Sequence, residues 1–341
     1  MSVTRNFLVS QEEINSMKER FDFNFFSKRN VLITGGTGLV GGFLATTILE
    51  CTKHLSKEAP KVTVTTKSNN LDNLFQVINF KNLLIRNIDL RNTIPRGDFD
   101  TVIHGASPAS PKHILSEEDV KSINCNIFYD IHSSFPNLER MLFLSAGEVY
   151  GSRLPNLVPE EYKNQNPLQG QRSYYPNAKI EGELLTSNLG DLGISSHIVR
   201  LFHTYGPGVR EYDGRSFSDF FWAIKRSSLP TLTSFGNQVR SFSYLEDSVI
   251  GLLLVLASGV SSPVNVGSSN PISVLDFAKR ISNVAGHSGI VSFDASKLEE
   301  KNSPIDSIVP NNDLLKSLGW NESVSIDIGI ARTLHWLKTT K

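Results

Sequence analysis

Val31-Leu-Ile-Thr-Gly-Gly-Thr-Gly-Leu-Val-Gly41 decides the fold of this chain. Val31 to Ile33 is a short apolar run of the kind that forms a buried strand, and it breaks at Thr34 into Gly35-x-x-Gly38-x-x-Gly41 at the head of a helix. Each glycine then has its own duty. Gly35 permits a tight strand-to-helix turn, Gly38 lets a diphosphate approach the backbone, and Gly41 lets the helix pack closely on the sheet. The diphosphate sits on unpaired N–H groups at the positive end of the helix dipole. Three glycines alone would equally mark a structural turn. The strand before and the helix after make the stretch a dinucleotide site, with Thr37, Leu39 and Val40 completing the loop around it.

Outward from this stretch, short β-branched runs alternate with helical ones. Strands are expected at Val31–Thr34, Lys61–Thr65, Leu83–Ile88, Thr101–His104, Arg140–Ser145 and His197–Phe202. That alternation predicts an α/β fold, a Rossmann-type doubly wound parallel sheet. Past about residue 205, Gly206-Pro-Gly208, Asp213-Gly214, Gly236-Asn237 and Ser261-Ser-Pro263 punctuate shorter elements, as in a smaller α/β substrate-binding lobe. The expected division is a helical extension over 1–29, a dinucleotide-binding domain over 30–204 and the lobe over 205–341. Part of 240–260 is expected to return to the first domain. Ser10-Gln-Glu-Glu13 before Ile14 and Met17 is a capping box, so the extension should carry a helix. Phe21-Asp-Phe-Asn-Phe-Phe26 reads as packing, not chemistry.

Bulk properties narrow the function. With 39% hydrophobic and 20% charged residues among 341, the chain has the composition of a globular enzyme. Its 34 basic residues balance 34 acidic ones and form no basic block, which argues against nucleic acid as the main partner. Val249 to Val260, the longest uncharged apolar run, is too short for a bilayer, which needs about 20 residues. No membrane partner is expected, and the run suits a buried helix. Arg5, Glu12, Glu13 and Lys18 leave no apolar signal core near the N-terminus, so a cytoplasmic protein is expected. Cys51 and Cys125 are far apart and form no metal-ligand spacing, nor do the histidines; no metal is expected.

Tyr175-Pro-Asn-Ala-Lys179 puts a phenol and an amine four residues apart, on one face of a helix. A free tyrosine, with a pKa of about 10, is a poor base near neutral pH, and a neighbouring ammonium favours its phenolate. Such a pair alone is more often a solvated surface contact. Combined with the Gly35–Gly41 loop it belongs to a larger pattern: Asp89-Leu90, His104-Gly-Ala-Ser107, Glu148-Val-Tyr-Gly151, Arg200-Leu-Phe-His-Thr-Tyr-Gly-Pro207, Arg240-Ser-Phe and Leu318-Gly-Trp320. In these motifs the sequence resembles the extended short-chain dehydrogenase/reductase family, the NAD-dependent epimerases and dehydratases of nucleotide-activated sugars. Ala106-Ser-Pro-Ala-Ser-Pro111, Asp213-Gly-Arg215 and Arg240-Ser-Phe-Ser-Tyr244 make it most similar to the UDP-glucuronate decarboxylase branch.

The resemblance implies a mechanism. Tyr175 takes the proton of the sugar's 4-hydroxyl as hydride passes to the nicotinamide, and Lys179 holds the cofactor ribose and lowers the tyrosine pKa. The 4-ketone acidifies the neighbouring C5–H and turns a C5 carboxylate into a β-keto acid that loses carbon dioxide. Glu148 corresponds to the family's acid/base group near C5, and Arg240 to an arginine at the diphosphate or at C5. Asp89, Leu90, Ala106 and Ser107 are implied at the cofactor, and Pro108, His203 and Arg215 at the substrate. A homodimer is implied as well.

Three positions depart from the pattern. Where the family places Ser or Thr to hydrogen-bond the reacting oxygen, this chain has Ala146. Ser145 lies one residue earlier, on the opposite strand face, and can replace it only if the backbone bulges near Gly147. After the second strand, Thr66 and Lys67 stand where an acidic residue usually grips the ribose 2′-hydroxyl, so NAD and NADP both stay open. His203 occupies a position that is often Asn. The leading expectation is redox-neutral modification of a nucleoside-diphosphate sugar through a 4-keto intermediate, by decarboxylation, epimerisation or dehydration. The alternatives are an NADPH-dependent 4-ketoreductase and a non-catalytic dinucleotide-binding sensor or subunit.

Overall fold

Helix α1 (Gln11–Arg20) opens the fold and is closed by the expected capping box: Glu13 N–H donates to Ser10 Oγ (3.2 Å) and Ser10 N–H to Glu13 Oε2 (2.7 Å). The computed structural model describes residues 8–67, 70–74, 76–109, 115–294, 296 and 305–339. Arg5, Ser110 and Pro111 therefore lie outside the described residues. The chain continues through β1 (Asn30–Thr34), α2 (Leu39–Cys51), β2 (Lys61–Thr66), β3 (Leu83–Asn87), β4 (Thr101–His104), α3 (Glu117–Cys125) and β5 (Arg140–Ala146). Then come α4 (Tyr174–Ser187), β6 (Ser195–Leu201), α5 (Ser216–Lys225), α6 (Leu245–Ala257), β7 (Val264–Val266), α7 (Val274–Val284) and α8 (Ile326–Thr339).

The seven strands form one sheet in the order β7-β6-β5-β4-β1-β2-β3, and every neighbouring pair is parallel. Helices cover both faces, so Val31, Leu32 and Ile33 are all buried. The strand order reverses between β1 and β4, which opens a crevice at the carboxyl edge where the glycine loop lies. The six expected strands form within two residues of their expected ends. Strand β7 was not expected. It is only Val-Asn-Val, and its central Asn265 turns inward to accept a hydrogen bond from the Tyr150 hydroxyl (2.7 Å). Helix α6 packs on α2, β5 and β6, and from it the chain joins the edge of the main sheet through β7.

Helix α6 is the apolar run seen in the sequence, with Val249, Leu252, Leu253, Val255 and Leu256 all inaccessible to solvent. No described helix is long and apolar enough to cross a membrane. Helices α5, α7 and α8 pack together beyond the carboxyl edge. A small sheet there holds Val239–Arg240 between Ile272–Ser273 and Ser307–Ile308, beside the stacked rings of Phe242 and Phe277 (centroids 3.9 Å apart). Helix α1 clasps this region through buried charges: Arg20 pairs with Glu246 (3.1 Å) and Asp247 (2.7 Å), and the Tyr244 hydroxyl donates to Glu13 (2.6 Å).

Candidate active site

The glycine loop has the shape that a diphosphate needs. Gly35 takes φ +70°, and a Cβ there would lie 2.8 Å from the Ala106 Cα, so only glycine allows the β1 and β4 loops to meet. A Cβ on Gly41 would lie 2.4 Å from the Gly35 carbonyl oxygen. Gly41 therefore makes room for the loop itself, not for the sheet as the sequence suggested. Gly38 caps α2 with no side-chain hydrogen bond, leaving first-turn N–H groups for a ligand at the cleft. These residues fit the diphosphate of a dinucleotide.

Facing the loop, α4 begins with Tyr174-Tyr175-Pro176, proline being tolerated in a helix's first turn. Tyr175 and Lys179 both line the cleft. Lys179 is 2% exposed, and its Nζ donates to the Leu144 carbonyl (2.5 Å) and lies 5.7 Å from the Tyr175 ring centroid. Burial pushes the Lys179 amine down to about 7. Burial and then the Glu148 charge push the Tyr175 phenol well up; the cation that opposes this is Arg215, not Lys179. The lowering expected from Lys179 is not found: its charge acts on Glu148 and His104 but is not among those that act on the Tyr175 phenol.

Glu148 follows β5 in a single 3₁₀ turn (Gly147–Tyr150) and lines the same cleft. Burial raises its pKa, against the charges of Arg240, Arg215, Lys179 and Arg172. Arg240 is fixed by donating to the carbonyls of Val239 (2.8 Å) and Ile305 (3.0 Å). Arg215 pairs with Asp213 (2.5 Å) and lies 4.9 Å from the Phe217 ring centroid. Burial, with Arg240 and Arg215 adding repulsion, pushes the His203 imidazole down to about 3, so it is neutral at physiological pH. A phosphate-charged His203 is not what this setting favours.

Other candidates sit differently. Ser145 lines the cleft, but its hydroxyl donates to Glu183 (2.5 Å); Glu183 also pairs with Arg200 (2.7 Å). Strands β5 and β6 stay in register through Ser145↔Arg200 and Ala146↔Leu201, so the bulge that Ser145 required is missing. The Thr66 hydroxyl lies 2.9 Å from that of Thr37, and the Lys67 ammonium lies 3.5 Å from Asp89. Asp89 is gripped by Arg91 (2.5 Å), whose hydrogen bonds hold its carboxyl well below the usual range. Leu90 is buried, Ser107 lines the cleft, and Ala106 and Pro108 are half-buried beside it.

Three groups of the site carried no role in the sequence reading. Arg210 donates to the Thr37 carbonyl of the glycine loop (2.5 Å). Buried Asn73 donates to that same carbonyl (3.3 Å) and to the Gly208 carbonyl (3.2 Å), so three segments meet at one node. His104, pushed down to about 3 chiefly by burial, donates from Nε2 to the Asn124 carbonyl (3.1 Å). Its Nδ1 then accepts from the Thr34 hydroxyl (2.6 Å), whose oxygen in turn accepts from Ala106 N–H (3.1 Å). Arg210 had one sequence signal: it follows the Gly206-Pro-Gly208 turn that ends a recognised motif.

UDP-glucuronic acid decarboxylase 1 of Xenopus tropicalis is 28% identical over 91% of this chain and 72% of its own length. UDP-glucuronic acid decarboxylase 5 of Arabidopsis thaliana is 30% identical over 89% of this chain and 88% of its own. A solved UDP-N-acetylglucosamine 4-epimerase from Methanobrevibacter ruminantium M1, in complex with UDP-N-acetylmuramic acid, shares the fold. Its TM-score is 0.75 at 22% identity, covering 91% of this chain and 98% of that one. The family model described as NAD dependent epimerase/dehydratase matches residues 31–267. With that span covering the glycine loop, Tyr175, Lys179, Glu148 and Arg240, the chain belongs to the NAD dependent epimerase/dehydratase family of enzymes.

Proposed function

We propose that the protein oxidises the 4-hydroxyl of a nucleoside-diphosphate sugar, transforms the 4-keto sugar and reduces it again, with decarboxylation of UDP-glucuronate as the nearest reaction. The observation that carries this reading is that Tyr175 and Glu148 share one cleft with the glycine loop while Arg215 and Arg240 act on Glu148. The 28–30% identical decarboxylases support the choice of sugar. Tyr175 accepts the 4-hydroxyl proton, and Lys179, fixed by Leu144, would hold the cofactor ribose. NAD, when bound, would supply the hydride acceptor and a positive charge. Burial keeps Tyr175 a neutral phenol, so positive charge beside it favours its proton-accepting form. After carbon dioxide leaves the β-keto acid, one proton must be added at C5. Glu148, its pKa raised by burial, is the group placed to deliver it. Arg240 and Arg215 suit the anions of the substrate.

Gly147 speaks against 4,6-dehydration, which uses an Asp beside Glu148. A Cβ at Gly147 would lie 2.9 Å from the Phe202 ring, so no longer side chain fits there. With Lys67 on Asp89 and an NAD family match, the reading takes NAD as cofactor. It also places the protein in the cytosol, as suits two buried thiols that burial pushes up to about 12. The exposed Tyr129, near α3, and Ile180 and Leu184 on α4 form the face through which we pair two copies; a monomer in sedimentation would remove that pairing. Incubation with UDP-, TDP-, CDP- and GDP-sugars, followed by mass, tests the whole reading. A modified sugar nucleotide with no net consumption of NAD is expected. Tight NAD binding with no turnover of any sugar would overturn it, and stoichiometric NADPH consumption would move the protein to the ketoreductases.

A further inference from the structure

We propose that Ser107 supplies the hydroxyl that Ala146 lacks, donating a hydrogen bond to the reacting sugar oxygen from the β4 side of the cleft; this rests on the 4-keto reading above. Ala146 ends β5 with only a methyl group at the cleft. Ser145 cannot serve, because its hydroxyl is committed to the Glu183 carboxylate and no bulge turns it round. Strand β4 runs beside β5 in parallel, its last paired residues being His104 and Phe143. Ser107 and Ala146 each lie three residues beyond that pair, and both line the cleft that holds Tyr175. The Ser107 hydroxyl is shielded from solvent and has no hydrogen-bond partner among the described residues. The Thr204 hydroxyl at the same cleft is taken, donating to the Phe202 carbonyl (3.1 Å) and lying 3.0 Å from Ser248 Oγ. A shielded, unpaired hydroxyl beside a cleft is a group awaiting an acceptor.

The backbone around Ser107 is held in place. Ala106 N–H donates to Thr34 Oγ1 (3.1 Å), within the chain that His104 anchors, and the Ser107 carbonyl accepts from Ala109 N–H (2.9 Å). The donor is therefore preorganised, as stabilisation of a developing charge requires.

The test uses NAD-loaded full-length protein with UDP-glucuronate as probe. Ser107→Ala, at a position that the resemblance implies at the cofactor, should still lower kcat about 100-fold when measured at saturating NAD, the scale for losing one such donor, with the melting temperature unchanged. Ala146→Thr in the Ser107→Ala background should restore at least about tenfold of it, by returning a hydroxyl from the neighbouring strand. Binding gives a second readout without turnover. In a Tyr175→Phe background, the preference for UDP-glucuronate over UDP should shrink when Ser107 is also replaced by alanine. A Ser107→Ala kcat within threefold of wild type would overturn the proposal. So would a loss of activity that follows lost NAD affinity and is not recovered by Ala146→Thr. Absence of turnover by the wild type on any nucleotide sugar would instead overturn the 4-keto reading itself. Should Ser107→Ala fail to fold, Ser107→Thr, which keeps the hydroxyl, must retain activity for the proposal to stand.

Discussion

Tyr175 and Lys179 show how far burial can work against a functional group. The phenol is pushed up and the amine down, to about 7, by the same removal from water. Tyr175→Phe takes away the proton acceptor but almost no volume. Turnover should fall about 10²–10⁴-fold, the usual worth of a placed acid/base group, while calorimetry finds NAD affinity unchanged. Lys179 leaves its mark on stability. Between about pH 7 and its ordinary value near 10.5, the unfolded chain holds a proton on this amine that the folded protein does not. The unfolded state is therefore the one favoured by protons, and stability contributed here rises with pH across that window. Lys179→Met lacks the titrating amine. The melting temperature of wild type minus that of Lys179→Met should increase from pH 7 to pH 9; a constant difference would mean that the amine is not perturbed.

Among elements, the contact that matters most is between the glycine loop and the turn over Gly206–Arg210. Arg210 and Asn73 both donate to the Thr37 carbonyl, which fixes the loop's outer peptide before any ligand arrives. Arg210→Ala should weaken NAD about tenfold, one charge-assisted hydrogen bond to the loop being worth about 1.5–3 kcal/mol, with a smaller effect on kcat. Titration calorimetry checks it; unaltered NAD affinity would show that this contact does not shape the cofactor site. This node also shows what a sequence conceals. The Gly35–Gly41 loop and the Tyr175/Lys179 pair are legible because each is a short-range pattern whose spacing is the geometry. Arg210 and Thr37 are 173 residues apart, and nothing local announces that they meet. Strand parity already placed Ser145 and Ala146 on opposite faces. What it left out was Glu183, which holds Ser145 there and lies 38 residues away. Strand β7 escaped because three residues carry no period.

Over the whole molecule, helix α1 is joined to the start of α6 by charges that have left water. Glu246 and Asp247 are 1% and 0% exposed at their side chains, and Arg20 pairs with both. Arg20→Ala leaves two buried carboxylates with fewer partners and should cost about 3 kcal/mol in denaturant unfolding, with activity intact below the transition. A loss under about 0.5 kcal/mol, the scale of an exposed pair, would show the clasp to be superficial. The clasp steadies a molecule whose cleft lies between the sheet's carboxyl edge and the elements bearing Arg215 and Arg240. What that cleft does to a sugar can be followed atom by atom. UDP-glucuronate carrying deuterium at C4 should turn over more slowly than the unlabelled sugar and yield a product that keeps the deuterium at C4, because the hydrogen removed there is returned without meeting solvent. A product that has lost the C4 label, or one formed equally fast from both sugars by a Tyr175→Phe protein, would contradict the account.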